Sequence, residues 1–451
     1  MNLKTAKEYL NRLQFFGIKL GLENVKILLA ALGSPEKRFP SVLIAGTNGK
    51  GSVAAMLSAA LEAEGYRTGL YTSPHLVRVE ERFKIGSRLI SSRAFCGYLE
   101  RVKGAIDGLM AEGELIYHPT FFEVLTSVAF LYFSESNVDI AVIEVGLGGR
   151  FDATNVLNPL FSVITTISLD HEKHLGHTLA EIAFEKAGII KEKTTVVCGV
   201  RNRQAFQVIK KRALEMDAPF VRVFGPGKKH EFLKSHGKYR FSYSVAGEKY
   251  SFVPALAGRH QGHNAAVAIS AGRILDREWR PLSKASMIRG ISQARWEGRL
   301  ETVSGDPLVI LDGAHNEEGA ASLARYIKDF IRRPVVLVFA AMKDKNIGKM
   351  SELLFPLAAA VVATRVPYKR SAEPAEIAAA VRDSHPDLVV ESDTRKAVKI
   401  ALQKSGRRLP VIIAGSLFLV GEVKRLKIFP PAGSGQRLSG RGRRVENIVQ
   451  T

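Results

Sequence analysis

Short apolar runs bounded by glycine, proline or polar residues recur along the chain, and they predict strands that alternate with helices. The run 41–45 predicts a buried strand, and the alanine- and leucine-rich run 53–64 after it predicts a helix. Further buried strands are predicted at 138–144 and 161–167. This alternation is typical of an α/β fold in which helices cover a mainly parallel sheet.

The pattern changes near residue 296. Before that point, the runs 239–245 and 249–253 predict a β-hairpin. After Pro307, apolar strands alternate with helices again, as in βαβ units. These later strands are predicted at 308–311, 334–340, 359–364, 387–391 and 410–414. We therefore expect two α/β domains, at 1–297 and 298–429, followed by a basic tail at 430–451.

The net charge of +21 suits an anionic partner, which could be a nucleic acid, a membrane surface or a small molecule. The basic residues are scattered except in 430–451, where Gly, Ser and Arg predict a disordered tail; an RNA-binding tail is the alternative. No window of about 18 apolar residues predicts a membrane span, and no apolar N-terminal run predicts a signal peptide. Cys96 and Cys198 lie far apart, so we expect neither a disulfide nor a cysteine metal site, and a cytoplasmic location.

A glycine-rich loop joins the first predicted strand to its helix. Small residues let the backbone surround an anion, the helix N-terminus offers free N–H groups, and Lys50 adds a full positive charge. The spacing departs from the usual P-loop, because Ile44 replaces the first glycine and Gly51 separates Lys50 from Ser52. A plain turn without a ligand is the alternative. The predicted phosphate-binding residues are Gly46, Thr47, Asn48, Gly49, Lys50, Gly51 and Ser52.

Polar side chains follow several predicted strands at the point where each strand ends. Ser73 follows the strand near residue 71, Glu144 ends the strand 138–144, and His171 follows the strand 161–167. In a parallel sheet with a P-loop, an acid at the end of a neighbouring strand faces the metal of the nucleotide, so Glu144 is a predicted metal ligand. His171 is either a metal ligand or an ordinary loop histidine.

Two further polar positions remain open from the pattern alone. Asn264, at the start of an alanine-rich helix, is predicted either to contact a nucleotide or to cap the helix. Lys186 resembles an ordinary helix lysine. In the second domain, the segment 311–316 again puts polar groups at a strand end, where they could close a cleft over the first domain.

The ordered set of motifs resembles the folylpolyglutamate synthase/dihydrofolate synthase family of the Mur ligase superfamily, in its bifunctional bacterial form. The motifs are Gly46–Ser52, Thr72–Leu76, Glu144–Asn155, Asp170-His171, Glu185–Ile189, His260–Asn264, Leu311–Asn316 and Gly415–Leu417. The first domain is then expected to be a P-loop-type ATPase domain with a mainly parallel sheet, and the second a smaller Rossmann-like α/β domain. One departure is Glu297, which stands where the family commonly has proline, so we expect a looser linker.

The resemblance also implies roles for individual residues. Lys50 would bind the phosphates of ATP, Ser52 and Glu144 one Mg²⁺, and Ser73, Glu144 and His171 a second metal. Lys186 would be carbamylated, which turns its ammonium into a carboxylate-like ligand. The implied catalytic residues are Lys50, Glu144, His171 and Lys186. The implied nucleotide contacts outside the loop are Asn264, Arg299, Asp312 and His315.

The implied activity is an ATP-dependent ligase that activates a carboxylate of dihydropteroate or of a reduced folate and joins it to L-glutamate. A peptidoglycan Mur ligase is the nearest alternative, but only about forty residues precede the loop, too few for the nucleotide-sugar domain of those enzymes. A nucleic-acid-stimulated P-loop ATPase that uses the basic tail is the other alternative. We expect ATP and Mg²⁺ as cofactors, small-molecule substrates without a membrane or nucleic-acid partner, and a monomer.

Overall fold

The computed structural model of the protein describes residues 1–13, 21–115, 117–225, 230–235, 238–381, 388–406 and 408–429. Within those ranges the strands form three sheets, of eight, three and six strands. The predicted basic tail, 430–451, lies outside the described residues. Among the residues described, no helix combines the length and the apolar character that crossing a bilayer requires.

The first sheet has the order β4-β3-β2-β5-β1-β6-β7-β8. Its strands β2, β5, β1, β6, β7 and β8 run parallel, and β3 and β4 join at one edge in antiparallel pairs. Its strands are β1 (Ser41–Ala45), β2 (Thr68–Tyr71), β3 (Phe83–Ile85), β4 (Arg88–Leu89), β5 (Ile140–Glu144), β6 (Phe161–Ile164), β7 (Val196–Cys198) and β8 (Phe220–Arg222). The central strand β1 is buried along its whole length, as its uninterrupted apolar run predicts.

The second sheet is the antiparallel meander β9 (His230–Ser235), β10 (Lys238–Val245) and β11 (Glu248–Phe252). It contains the predicted hairpin, whose turn is Ala246-Gly247. The third sheet has the order β12-β13-β17-β14-β15-β16, in which β12 is antiparallel and the others are parallel. Its strands are β12 (Glu301–Gly305), β13 (Leu308–Leu311), β14 (Val335–Phe339), β15 (Ala358–Ala363), β16 (Leu388–Val390) and β17 (Val411–Ala414).

The helices pack on the faces of the first and third sheets and bury their apolar sides there. Those before residue 298 are α1 (Leu3–Leu13), α2 (Glu23–Ala31), α3 (Lys50–Glu64), α4 (Ser92–Ala111), α5 (Phe121–Glu135), α6 (Glu172–Leu175), α7 (Leu179–Ala187), α8 (Arg203–Glu215), α9 (Arg259–Glu278) and α10 (Lys284–Gln293). Those after it are α11 (Glu317–Tyr326), α12 (Ile347–Leu354), α13 (Pro374–Ala380), α14 (Thr394–Ser405) and α15 (Leu417–Arg425). The expected α/β fold class, with a large mainly parallel sheet and a further α/β sheet, is confirmed.

Two local predictions are corrected. Helix α3 begins at Lys50, three residues before the predicted start, because Gly49 takes the left-handed conformation and ends the loop there. Asn264 does not cap α9, since that helix begins at Arg259 and its N-cap is Gly258; the Asn264 amide instead donates to Oε1 of Gln261 at 2.9 Å.

Candidate active site

The glycine-rich loop lies at the carboxyl end of β1, between that strand and α3. Gly46 and Gly49 have φ values of 147° and 84°, a region that favours glycine. A Cβ at Gly46 would stand 1.9 Å from Oγ1 of Thr165, and a Cβ at Gly49 would stand 2.4 Å from Oδ1 of Asn264. Both positions therefore require glycine for conformation and for space.

Lys50 is the first residue of α3, and its side chain turns back over the loop. Its Nζ donates to the carbonyl oxygens of Gly46 at 3.0 Å and Thr47 at 3.1 Å. Burial lowers the pKa of Lys50, and the nearby Glu144 carboxylate opposes that shift. The Ser52 hydroxyl lies in the first turn of α3 and accepts a hydrogen bond from Nε2 of Gln261 at 3.3 Å.

Glu144 ends β5 beside the loop, because β5 pairs with β1 in a register that sets Glu144 opposite Ile44. Its side chain is buried, and its Oε2 accepts the backbone N–H of Ser73 at 3.0 Å. Burial raises the pKa of the Glu144 carboxyl, and the charge of Lys50 opposes this rise. The carboxylate thus lies next to a cation and is tied to the Ser73 loop.

Lys186 lies near the end of α7 and is 4% exposed. Burial lowers the pKa of its amine to about 7, and the charge of Lys50 contributes to the same shift. Its Nζ has no hydrogen-bond partner among the residues that the structure describes. The loop after β5 packs closely against this end of α7, since a Cβ at Gly149 would stand 2.9 Å from the carbonyl oxygen of Lys186. The tertiary structure therefore gives an ordinary-looking helix lysine an unusual environment.

His171 precedes the short helix α6 and adopts a left-handed backbone conformation with φ of 52°. Burial lowers the pKa of its ring to about 4, so the ring is neutral near pH 7. Its backbone N–H donates to Oδ1 of Asp170 at 2.9 Å. The neutral ring has a nitrogen lone pair that is available to a ligand.

One cavity of about 110 Å³ brings most of the predicted site residues together. Those that line it are Gly46, Thr47, Asn48, Gly49, Lys50, Gly51, Ser52, Ser73, Glu144, His171, Lys186, Arg299 and His315. Asp312 does not line this cavity; its buried carboxylate accepts the backbone N–H groups of Leu300 at 2.8 Å and Ala314 at 2.9 Å, and so fixes the loop that carries His315.

Asn264 lies between this cavity and a larger one of about 420 Å³. The larger cavity is enclosed by the ends of β6 and β7, the start of α9 and the face of α11 that includes Ser322 and Arg325. Asn264 contacts Gly49 of the glycine-rich loop and lines the larger cavity. A molecule bound at the loop could therefore extend past Asn264.

The donor set suits Mg²⁺ better than a transition metal. Across the described ranges, no three side chains of His, Cys, Asp or Glu form a group that could hold a metal. The predicted set contains one buried carboxylate, Glu144, with the hydroxyls of Ser52 and Ser73 and the ring of His171. Mg²⁺ commonly takes one or two carboxylates and completes its shell with phosphate oxygens and water, so these residues fit that ion beside a phosphate loop.

Side chains next to the third sheet contact the glycine-rich loop; the sequence pattern indicated Asn316, in the segment 311–316, but not Glu318. The Asn48 amide donates to Oε2 of Glu318 at 2.6 Å, and the Ser168 hydroxyl donates to the same oxygen at 2.9 Å. The Asn316 amide donates to Oδ1 of Asn48 at 3.1 Å. Glu318 lies in the first turn of α11, where an acid is expected for helix stability alone, so no local signal marks it.

The linker is held by ionic and hydrogen-bonding contacts rather than by proline. The Glu297 carboxylate pairs with Lys424 at 2.6 Å, and the Gly298 N–H donates to Glu301 at 2.7 Å. Lys424 also pairs with Glu301 at 2.6 Å. We expected a looser linker from the missing proline alone, and that expectation did not include these contacts.

Comparison with known proteins places similar sequences on both sides of the linker. The family description "Mur ligase middle domain" matches residues 98–272, and "Mur ligase, glutamate ligase domain" matches residues 298–417. The dihydrofolate synthase/folylpolyglutamate synthase of Bacillus subtilis is 36% identical, over 94% of this chain and 98% of that protein.

Solved structures agree with the sequence comparison. A Mycobacterium tuberculosis folylpolyglutamate synthase complexed with ADP and AMPPCP has a TM-score of 0.87 and 31% identity, and the match covers 94% of this chain and 98% of that one. An Escherichia coli protein in complex with DHPP and ADP has a TM-score of 0.83 and 27% identity, and the match covers 93% and 97% of the two chains.

Proposed function

Because the chain belongs to the folylpolyglutamate synthase/dihydrofolate synthase family of Mur ligases, we propose that it activates a folate-type carboxylate with ATP and joins it to L-glutamate. The acceptor is dihydropteroate, a reduced folyl-polyglutamate, or both, and the products are an amide, ADP and phosphate. The observation that carries this proposal is the single cavity that holds the glycine-rich loop together with Lys50, Glu144, His171 and Lys186. A phosphate cradle, a cation and a buried acid at one point are the requirements of phosphoryl transfer.

The loop Gly46–Ser52 binds the phosphates of ATP in this proposal. The loop residues line the smaller cavity, and Lys50 supplies the full positive charge. The further nucleotide contacts are Asn264, Arg299 and His315, whereas Asp312 supports them indirectly by fixing the loop that carries His315. The larger cavity beside Asn264 supports this assignment, since it has room for the part of the nucleotide beyond the phosphates.

Mg²⁺ is proposed to bind Ser52 and Glu144, with a second metal at Ser73, Glu144 and His171. When bound, the metal neutralises charge on the phosphate oxygens during transfer. The hydrogen bond from the Ser73 N–H to Glu144 holds the carboxylate in place for this role.

Lys186 is proposed to be carbamylated. Its neutral amine attacks carbon dioxide, forms a nitrogen–carbon bond and loses one proton to solvent, which gives a carbamate. The low pKa of Lys186 supports this step, because only an unprotonated amine has a free electron pair. The resulting anion would lie next to the cation of Lys50 in the same cavity.

The reaction then needs two displacements. An oxygen of the acceptor carboxylate attacks the γ-phosphorus of ATP, so that ADP leaves and an acyl phosphate forms. The neutral amine of L-glutamate attacks the acyl carbon, and phosphate leaves as the amide forms and the nitrogen loses its proton. The cavity contributes mainly by positioning the reactants and by neutralising charge.

The finer organisation of the protein is part of the same proposal. Residues 1–297 form the ATP-binding domain, 298–429 the C-terminal domain, and 430–451 a basic tail, in a cytoplasmic monomer that binds no nucleic acid. The similarity to folate ligases across 94% of the chain supports this function over a peptidoglycan ligase or a nucleic-acid-stimulated ATPase.

The test is phosphate release from ATP with Mg²⁺ and L-glutamate, run in parallel with dihydropteroate, tetrahydrofolate and no acceptor. Release with both acceptors establishes a bifunctional enzyme, and release with one identifies the single activity. Release that ignores the acceptor and glutamate but responds to RNA contradicts the proposal.

A further inference from the structure

Lys345 is a buried cation that the proposed chemistry does not use. It lies on the loop between β14 and α12, and its side chain is 8% exposed. Its Nζ forms an ion pair with the carboxylate of Asp170, which is 5% exposed and belongs to the loop after β6. A second carboxylate, Asp344, lies 3.6 Å from the amine. The pair therefore joins the third sheet to the loop that carries His171.

The Asp170 carboxylate is a junction between the two halves of the chain. Its Oδ1 accepts the backbone N–H of His171 at 2.9 Å as well as the bond from Lys345. Its Oδ2 accepts from the Asn316 amide at 3.0 Å and lies 3.6 Å from Nε2 of His315. One side chain thus binds the backbone of His171 and, at the same time, several groups of the third sheet.

The geometry at His171 explains why this junction affects the site. A non-glycine residue at φ of 52° is uncommon and persists where its surroundings hold it. The hydrogen bond from the His171 N–H to Asp170 is one such restraint, and Asp170 is itself oriented by Lys345 and Asn316. If the third sheet moved away, Asp170 would lose these partners together.

Stability alone is a weak reason for such a pair, because burying two charges costs about as much as their attraction returns. A contact that exists only while the two halves are together does, however, favour the closed arrangement. The exposed neighbour Lys343 provides a contrast, since it pairs with Glu376 at 3.2 Å and both side chains are about half exposed.

We infer that Lys345 is a positioning residue for the ligase reaction: by binding Asp170 it holds His171 at the cavity when the C-terminal half closes on the glycine-rich loop. This inference rests on the proposed function. Lys345 touches no reacting atom in this account and acts through Asp170.

The test compares Lys345→Met with the matched surface change Lys343→Met in steady-state amide formation, with thermal unfolding measured on each variant. For Lys345→Met we expect kcat to fall about 5- to 150-fold, the usual range of a coupling between sites. The KM for ATP and the KM for glutamate should change by factors similar to each other. Lys343→Met should stay within about twofold of wild type, as an exposed pair contributes little. Lys345→Gln gives the same comparison if the methionine variant does not fold.

A double-mutant cycle with Asp170→Asn separates positioning from other roles. If Lys345 acts through Asp170, the double variant is no slower than Asp170→Asn alone, within about twofold. If the loss in the double variant equals the product of the two single losses, the inference is overturned. A rise in the KM for glutamate alone, with kcat unchanged, also overturns it, because Lys345 would then be a substrate contact. An active wild type with an unchanged Lys345→Met overturns the inference only, whereas an inactive wild type overturns the proposed function as well.

Discussion

Carbon dioxide is the perturbation that tests Lys186 most selectively. At pH 7.5 an amine with a pKa of about 7 is about three-quarters neutral, whereas at the ordinary value of 10.5 about one molecule in a thousand is neutral. Burial thus raises the reactive fraction of this amine by a factor of several hundred over an exposed lysine. Carbamylation should therefore be efficient here at the bicarbonate concentrations of ordinary buffers and should fail when carbon dioxide is removed.

The assay measures amide formation by enzyme prepared in buffer free of carbon dioxide, before and after bicarbonate is added. We expect activity to fall on the order of 10- to 100-fold without carbon dioxide, as when a group that supports a metal is lost, and to recover on addition. Lys186→Ala should lose most of its activity, to a similar degree, and should not respond to bicarbonate. With ¹³C-bicarbonate, the wild type should give a carbamate signal that Lys186→Ala lacks.

The pH dependence has a definite sign. As the pH falls below about 7, the Lys186 amine takes up a proton and cannot hold the carbamate, so activity should fall on the acid side. Added bicarbonate should move this limb to lower pH. Lys191→Ala is the matched control. Burial lowers the pKa of Lys191 to about 8, as it lowers that of Lys186, but the Lys191 amine already donates to the carbonyl oxygen of Asn155 at 2.7 Å. Full activity without carbon dioxide, together with no carbamate signal, would show that Lys186 is not carbamylated.

Three further predictions follow from the loop, the helix packing and the tail. Lys50→Ala should abolish ADP formation, because the only full positive charge of the loop itself is lost; near-normal turnover would remove the loop from the site. Gly290→Ala should lower the free energy of unfolding in urea by about 1–3 kcal/mol, since its Cβ would stand 2.3 Å from the backbone nitrogen of Ala60, whereas Gly97→Ala, with nothing within 4 Å, should raise it by about 0.5–1 kcal/mol. Equal effects of the two would contradict the packing argument. Removal of 430–451 should leave the rate of amide formation within about twofold of the full chain. If the removal instead abolishes RNA binding and reduces the dependence of that binding on salt, the ATPase alternative is favoured.

The strands and the position of the site were predictable because both depend on local patterns. A buried parallel strand is a short apolar run, and polar groups at neighbouring strand ends meet at one edge of the sheet. This logic correctly brought Ser73, Glu144 and His171 to the glycine-rich loop. The start of α3 was missed by three residues, since the glycines that suggested a loop extend into the helix as far as Gly51.

The environment of single side chains could not be predicted, because it depends on residues distant in sequence. Lys186 has the pattern of an ordinary helix lysine, and its low pKa arises from burial against the loop after β5 and from the charge of Lys50. Lys345 lies in a loop with no motif, and its partner Asp170 is 175 positions away. Glu318 likewise contacts Asn48 across 270 positions.

If the acceptor carboxylate is activated as an acyl phosphate, one of its oxygens is transferred to the phosphate that leaves, and this transfer can be measured. The acceptor, tetrahydrofolate or dihydropteroate, is labelled with ¹⁸O in both oxygens of the carboxylate that is joined to glutamate. It is converted with ATP, Mg²⁺ and L-glutamate, and the released phosphate is analysed by mass spectrometry. We expect one ¹⁸O in each phosphate released and the other ¹⁸O in the amide carbonyl. Phosphate that carries no ¹⁸O while amide accumulates would contradict activation as an acyl phosphate.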